Sequence, residues 1–223
     1  MILVHGAGSG RDSVRELAAL LHTQGYGVRA LNLRGYGDSS GSINRLGWAS
    51  RPDIGAAIEF LKSSPGVEHI GAMGLSMGGE LLLGAASTYP EISAVVTEGA
   101  TFRSVNDYVA LPANQPLVRN FTQHVFSFVV QLLSGTPPPT PTLIDSIQAA
   151  ERTHFLLIAA GTLQTEIEYN QLYQQTAADR SELWIIADAG HTGGYALDPA
   201  AYEARVIGFF DQTLSPQPLA PFP

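Results

Sequence analysis

Short apolar runs alternate with longer segments in which apolar residues recur every three or four positions. The short β-branched and apolar runs predict buried strands, whereas the wider spacing predicts helices with one apolar face. Strands and helices alternate along the chain. This alternation predicts an α/β fold, in which a mostly parallel sheet of about six strands has helices on both faces. The predicted strands are 2–5, 27–33, a third entering the turn at Ser76, 94–97, 153–160 and 183–186, and the helices are 11–23, 52–61, 80 to about 89, 166–178 and 199–214.

Residues 101–150 interrupt this alternation, because they contain no convincing sheet strand. Their central part, 117–133, predicts a helix with a wide apolar surface and a narrow polar face. Such a surface needs a cover, which the domain below it, a partner or a lipid-like ligand can supply. We therefore divide the chain into a core (1–100 and 151–214), a small helical cap (101–150) and a proline-rich tail (215–223). An ordinary packed excursion without a substrate role is the alternative for 101–150.

Composition narrows the possible functions. The 223 residues suffice for one sizeable core, and apolar residues make up 45% of them. A net charge of -8 argues against nucleic acid and anionic membrane surfaces, since both attract basic patches. No run approaches the roughly 20 apolar residues of a membrane span. No export signal is visible, so a cytoplasmic location is the default expectation. The chain has no cysteine, which excludes a disulfide or a thiolate nucleophile.

The candidate chemistry begins at Gly-x-Ser-x-Gly, formed by Gly74, Ser76 and Gly78. A serine hydroxyl is a weak nucleophile unless a sharp strand-to-helix turn, a nucleophile elbow, presents it to a base and to backbone N–H donors. Small flanking residues let the backbone make that turn. The alternative is a glycine-rich turn in which Ser76 only caps the following helix.

His191 is the best candidate for the base. It lies in a glycine-bracketed loop after the last predicted strand, from which it could reach Ser76. No two of the six histidines have the spacing of a metal site, so no metal is expected. The loop after the first strand, beginning at His5, could supply the N–H of Ala7 to an oxyanion hole, together with the N–H of Met77.

Taken together, these residues resemble the α/β-hydrolase family. His-Gly after the first strand, Gly-Leu-Ser-Met-Gly-Gly and a late Gly-His occur in the family's order, and residues 33–39 resemble its Arg-Gly-x-Gly-x-Ser loop, with Asn32 in place of the usual Asp. The resemblance spans about residues 2–214 and is greatest to esterases and dienelactone-hydrolase-type proteins. It implies a Ser–His–acid catalytic triad, acyl transfer through an acyl-enzyme, and no cofactor.

Two departures from the family pattern carry expectations of their own. Family members usually begin with two further strands, and without them the strand at 28–33 would be an exposed edge, which invites self-association. After the fifth strand the family typically has Asp where this chain has Gln164. Glu166, two positions further, is the first choice for the triad acid, and Glu98 at the end of the fourth strand is the alternative. Glu168 and Asp188 are less well placed.

The sequence thus predicts a carboxylesterase-like serine hydrolase whose substrate is a small ester with an apolar acyl or aryl group. Peptidase, lactonase and thioesterase activity would use the same residues, and perhydrolysis is a further cofactor-free possibility. The rival class is a binding protein on the same fold that is inactive or weakly active, because fold alone does not confer activity.

Overall fold

The computed structural model describes residues 1–41 and 46–214, and in them six parallel strands form one sheet. The strand order is β2-β1-β3-β4-β5-β6. The predicted parallel sheet is confirmed, and every pairing is parallel rather than most of them. The strands are β1 (Ile2–Val4), β2 (Arg29–Leu31), β3 (Ile70–Leu75), β4 (Ile92–Glu98), β5 (His154–Ala160) and β6 (Ser181–Ile186).

The helices follow the predicted alternation. The segment predicted as one helix over 11–23 begins with a 3-10 turn, Arg11–Val14, before the α-helix starts. A second 3-10 turn covers Pro112–Asn114. The α-helices are α1 (Arg15–Thr23), α2 (Arg51–Lys62), α3 (Met77–Ala85), α4 (Val105–Tyr108), α5 (Leu117–Ser134), α6 (Leu143–Ala149), α7 (Gln164–Thr176), α8 (Gly194–Leu197) and α9 (Pro199–Leu214).

One predicted strand is shorter than expected. Residues 27–33 form only the three-residue strand β2, because its neighbour β1 offers only Ile2–Val4 for pairing. β2 lies at one edge of the sheet, as the sequence predicted. Self-association through this edge stays a prediction.

Two hydrophobic layers enclose the sheet, because successive strand residues point to opposite faces. Ile2 and Val4 face a layer that also contains side chains of α2, α3, α6 and α7. Leu3, between them, faces the opposite layer with side chains of α1 and α9. Both faces of the sheet are therefore buried, which explains why its strands are apolar runs rather than alternating ones.

Residues 101–150 hold α4, α5 and α6 and no strand, in agreement with the sequence. Within them, Leu143 and Ile147 of α6 are buried in the same layer as α3. The division into core and cap at residues 101 and 150 stays a prediction. The predicted tail, 215–223, lies outside the described residues.

A buried ion pair joins the two ends of this segment. Arg103 Nε lies 3.4 Å from Asp107 Oδ2, and both side chains are almost fully buried. Both side chains also bond to the other end of the segment: Leu143 N donates to Asp107 Oδ1 over 2.7 Å, and Arg103 Nη2 donates to the Pro141 carbonyl over 2.7 Å. Since each charged group contacts both the departing and the returning chain, the pair closes the segment at its base.

In the described part of the chain, no helix combines the length and the apolar character that crossing a membrane requires.

We predict that Asp107→Ala lowers the free energy of unfolding by about 3–5 kcal/mol, because it leaves the buried Arg103 guanidinium without its counter-charge. Asp145→Ala is the matched control: Asp145 is exposed and, among the described residues, its carboxylate bonds to the hydroxyl of the capping residue Thr142, so its loss should cost no more than about 1 kcal/mol. Urea unfolding measures both values. Equal losses in the two variants would contradict a structural role for the buried pair.

Candidate active site

Ser76 occupies a strained backbone position between β3 and α3. Its φ of 50° and ψ of -120° are unusual for a residue with a side chain, and such conformations cost on the order of 1–3 kcal/mol. Two backbone hydrogen bonds hold it there: Ser76 N donates to the Glu98 carbonyl (2.7 Å), and Glu80 N donates to the Ser76 carbonyl (3.0 Å). The turn predicted from the sequence is present, and Ser76 is not fully buried in it.

The two glycines of the motif are required by close packing. A Cβ on Gly78 would lie 2.5 Å from the Val4 carbonyl oxygen, and a Cβ on Gly74 would collide with the backbone of Gly78. Neither contact can relax by moving a flexible side chain, since both involve backbone atoms. The end of β1, the end of β3 and the start of α3 can therefore meet only around residues without side chains.

His191 contacts the Ser76 hydroxyl directly. Its Nε2 lies 2.9 Å from Ser76 Oγ, and its Nδ1 lies 2.5 Å from Glu166 Oε1. A carboxylate only accepts hydrogen bonds, so Nδ1 donates to Glu166; in the neutral ring, Nε2 is then free to accept from the hydroxyl. The hydrogen bond to Glu166 raises the pKa of His191, burial opposes it, and the charges of Glu166, Glu80 and Glu98 add to the increase.

The loop that carries His191 is anchored at several points rather than loose. Thr162 Oγ1 donates to the Ala189 carbonyl (2.8 Å), and Gly193 N donates to the Gly190 carbonyl (3.0 Å). Gly194 N donates to Glu98 Oε1 (2.8 Å). The glycines on either side of His191 thus belong to a compact turn after the end of β6.

Glu166 approaches the imidazole from the first turn of α7. Its side chain is buried, and Ala160 N donates to its second carboxylate oxygen over 2.9 Å. Gln164, at the position where the related family has Asp, is exposed and donates to Glu168 instead. Asp188 is exposed as well. The helical turn after Gln164 thus brings the carboxylate two residues further along the chain to the imidazole.

Glu98 is buried beside the same loop, but its hydrogen bonds go elsewhere. Its two carboxylate oxygens accept from Gly194 N (2.8 Å) and from the Tyr202 hydroxyl (2.6 Å). Burial raises the pKa of Glu98 and outweighs these two hydrogen bonds, which lower it. Of the two acids that the sequence left open, the structure places Glu166 against the imidazole and Glu98 against the backbone of the loop.

The two predicted oxyanion donors lie in segments next to Ser76. Met77 is the first residue of α3, and Ala7 follows Gly6, on which a Cβ would lie 3.5 Å from Ser76 Cβ. Among the described residues, no hydrogen-bond acceptor is found for either N–H. Backbone donors of this kind stabilise a negative oxygen when they point at it.

Sequence reasoning missed the environment of Glu80. This residue lies one helical turn after Ser76 and is almost fully buried, and burial raises its pKa to about 7. Its Oε1 accepts from Thr101 N (3.0 Å) and Thr101 Oγ1 (2.9 Å), where residues 101–150 begin. The available signal was that Glu80 is the only charged residue in an otherwise apolar and glycine-rich run, 77–86.

Within residues 1–41 and 46–214, no group of three or more acidic or histidine side chains is arranged to hold a metal ion.

Comparison with known proteins identifies the fold. The model of the family described as "alpha/beta hydrolase fold" matches residues 1–154. The esterase Pf2001 of Pyrococcus furiosus is 22% identical, with a TM-score of 0.73 over 96% of this chain and 82% of that one. The α/β hydrolase GrgF from Penicillium sp. sh18 is 16% identical, with a TM-score of 0.70 over 96% and 89%.

MenH from S. aureus is 17% identical, with a TM-score of 0.67 over 96% of this chain and 94% of that one. At these identities the solved structures establish the likeness in fold. No curated protein matches the chain by sequence.

We predict that Ser76→Gly is more stable than Ser76→Ala by about 1 kcal/mol. Both variants lose the hydroxyl, but only glycine relieves the strain at φ 50°, and part of that gain is offset by the greater freedom of glycine in the unfolded chain. Urea unfolding of the two variants measures the difference. A Ser76→Gly variant that is less stable than Ser76→Ala would contradict the strain at residue 76, because the freedom of glycine in the unfolded chain would then be the only difference.

Proposed function

This chain belongs to the α/β-hydrolase fold family, and from that premise we propose that it is a serine hydrolase that cleaves carboxylic esters through an acyl-enzyme. The observation that carries the proposal is the pair of contacts made by His191, 2.9 Å to Ser76 Oγ and 2.5 Å to Glu166. A nucleophile, a base and an orienting acid in that order are what acyl transfer by serine requires.

In the first half-reaction His191 Nε2 takes the proton of the Ser76 hydroxyl while Oγ bonds to the ester carbonyl carbon. The carbonyl oxygen becomes negative, and the N–H groups of Ala7 and Met77 stabilise it. When the C–O bond to the alcohol breaks, the imidazolium returns its proton to the leaving oxygen. The products are a free alcohol and an acyl group bound to Ser76.

In the second half-reaction water replaces the alcohol. His191 takes a proton from the water as its oxygen attacks the acyl carbon, and then returns that proton to Ser76 Oγ. A carboxylic acid leaves and the serine is regenerated. Glu166 accepts the hydrogen bond from Nδ1 and stabilises the imidazolium, which is its role as the orienting acid.

The proposed substrate is a small neutral ester with an apolar acyl or aryl group. Three acidic side chains, Glu80, Glu98 and Glu166, are buried near His191, and their negative charges raise its pKa. The same negative charges would repel an anionic substrate. The nucleophile is flanked by the apolar Met77, whose sulfur accepts a hydrogen bond from the Tyr36 hydroxyl over 3.4 Å. Thioesters, lactones and peptides would use the same residues, and a panel of p-nitrophenyl esters of rising chain length would separate these classes.

We predict that a fluorophosphonate probe labels Ser76 and that Ser76→Ala abolishes both labelling and ester turnover. Loss of the attacking oxygen leaves His191 with no nucleophile to activate. Ser13→Ala, a serine on the 3-10 turn Arg11–Val14, is the control and should be labelled and active like the wild type. Mass spectrometry of the labelled peptide identifies the residue.

Unchanged turnover in Ser76→Ala would overturn the proposal. Absence of labelling and of turnover in the wild type, across the whole ester panel, would favour the non-catalytic binding protein instead.

We predict that Glu166→Gln lowers kcat by on the order of 10⁴, because the imidazolium loses the charge that stabilises it. Glu98→Gln is the isosteric control: its amide oxygen can still accept from Gly194 N, so the fall in kcat should be far smaller. The acidic limb of the pH profile gives a second readout. Attack requires neutral His191, which is lost as pH falls through its pKa, and this pKa is raised in the wild type.

Removal of either carboxylate charge lowers the pKa of His191, so both variants should keep the neutral base to lower pH. The profile of kcat/KM against pH measures this shift. An acidic limb that stays in place in Glu166→Gln, or a kcat in Glu98→Gln as low as in Glu166→Gln, would contradict the assignment of the acid.

A further inference from the structure

Helix α5 differs from an ordinary surface helix, whose apolar face is buried against the protein. Two polar residues of α5, Asn120 and Ser127, face the protein and are buried. Other polar residues of the helix are exposed, among them Thr122, His124 and Gln131. Most of its described apolar side chains face outward, and eight of these are exposed by fractions between 41% for Val129 and 93% for Val118. The domain below α5 therefore does not cover the wide apolar surface that the sequence predicted for this helix of the cap.

The outward face of α5 is too large to be incidental. At 100° per residue, the eight exposed apolar side chains span an arc of roughly 160° along the helix. Together they present on the order of 800 Å² of apolar surface, whereas the largest apolar patch of a typical monomer is about 300–600 Å². A face of this size is expected to be covered by a partner.

The face is also uncharged in an acidic protein. No Asp or Glu occurs between Tyr108 and Ile144, although the whole chain has a net charge of -8. Two copies of this face could therefore approach without like-charge repulsion between carboxylates. A helix that binds an anionic lipid surface typically carries several lysines or arginines, and α5 contains only Arg119.

The spacing along the face points to another helix as the partner. Val118, Phe121, Val125, Phe128 and Leu132 follow one another at intervals of three, four, three and four residues. This 3.5-residue repeat is the seam by which two helices pack side by side, since it keeps the same stripe turned toward the partner. A lipid surface would need an apolar arc but no such repeat.

We propose that α5 packs against α5 of a second copy of this chain across a two-fold axis, so that the functional form is a dimer joined through residues 117–134. In a two-fold contact each patch meets itself, which suits a face without net repulsion. Two faces of this size together bury about 1,600 Å², the area of a standard specific interface. The inference does not rest on the proposed hydrolase activity.

The test is the concentration dependence of the mass of the full chain, measured by sedimentation velocity and light scattering. The wild type is expected to be a dimer at micromolar concentrations. Phe121→Glu combined with Phe128→Glu should raise the dissociation constant at least about 100-fold, because two charges would be buried in the seam. Circular dichroism checks that this variant remains folded.

Phe60→Glu is the matched control, because Phe60 is a half-exposed phenylalanine on α2 that stacks against Arg29 of the edge strand. It should leave the dimer intact. Dissociation in this variant instead would assign the contact to the sheet edge and overturn the proposal, as would a wild type that stays monomeric at high concentration.

A cross-link provides a second measurement that does not depend on a destabilising variant. The chain has no cysteine, so Val125→Cys introduces a single thiol at the middle of the seam. Oxidation should yield a covalent dimer, whereas Phe60→Cys should form no covalent dimer under the same conditions, although its subunits stay associated. A monomer that fails to cross-link but co-sediments with phosphatidylcholine vesicles would show that lipid, rather than a second copy, covers the face.

Discussion

The close packing of backbone at the turn after β3 is the constraint on which the rest of this structure depends. A side chain at Gly74 or Gly78 would strike backbone atoms that cannot move aside. The turn also depends on the next strand, because Ser76 N donates to the Glu98 carbonyl. Strands β1, β3 and β4 are thus joined at one point, and the hydroxyl of Ser76 emerges there. Strain at a single residue is tolerated because its neighbours leave it no alternative.

Three buried carboxylates around that point perform separate tasks, and each is stabilised by a backbone N–H. Glu166 accepts from Ala160 N and contacts His191. Glu98 accepts from Gly194 N and so holds the histidine loop. Glu80 accepts from Thr101 N, at the start of residues 101–150. Burial of charge is costly unless hydrogen bonds offset it, so these bonds explain how an acidic site can exist beneath one imidazole.

In residues 101–150, charged groups are buried at the base and apolar groups are exposed at the outer surface. At its base the Arg103–Asp107 pair is buried, with both charges satisfied by backbone from the two ends of the segment. At its outer surface α5 exposes phenylalanine, valine and leucine and buries asparagine and serine. The base is therefore suited to hold the segment in one position, while the outer face is suited to contact another molecule.

The sequence by itself determined the order of helices and strands along the chain, because periodicity is a local property. From short patterns at strand ends it also proposed Ser76, Ala7, Met77 and His191 as candidate site residues. For the acid it ranked Glu166 first and kept Glu98 as the alternative, since both follow neighbouring strands whose carboxyl ends meet at one edge. Only the tertiary structure decided which carboxylate reaches the imidazole, because Tyr202 and Gly194 occupy Glu98 from another helix and loop. Likewise, the spacing of residues in α5 defines an apolar and a polar face. Which of these faces packs against the protein depends on how residues 101–150 pack as a whole.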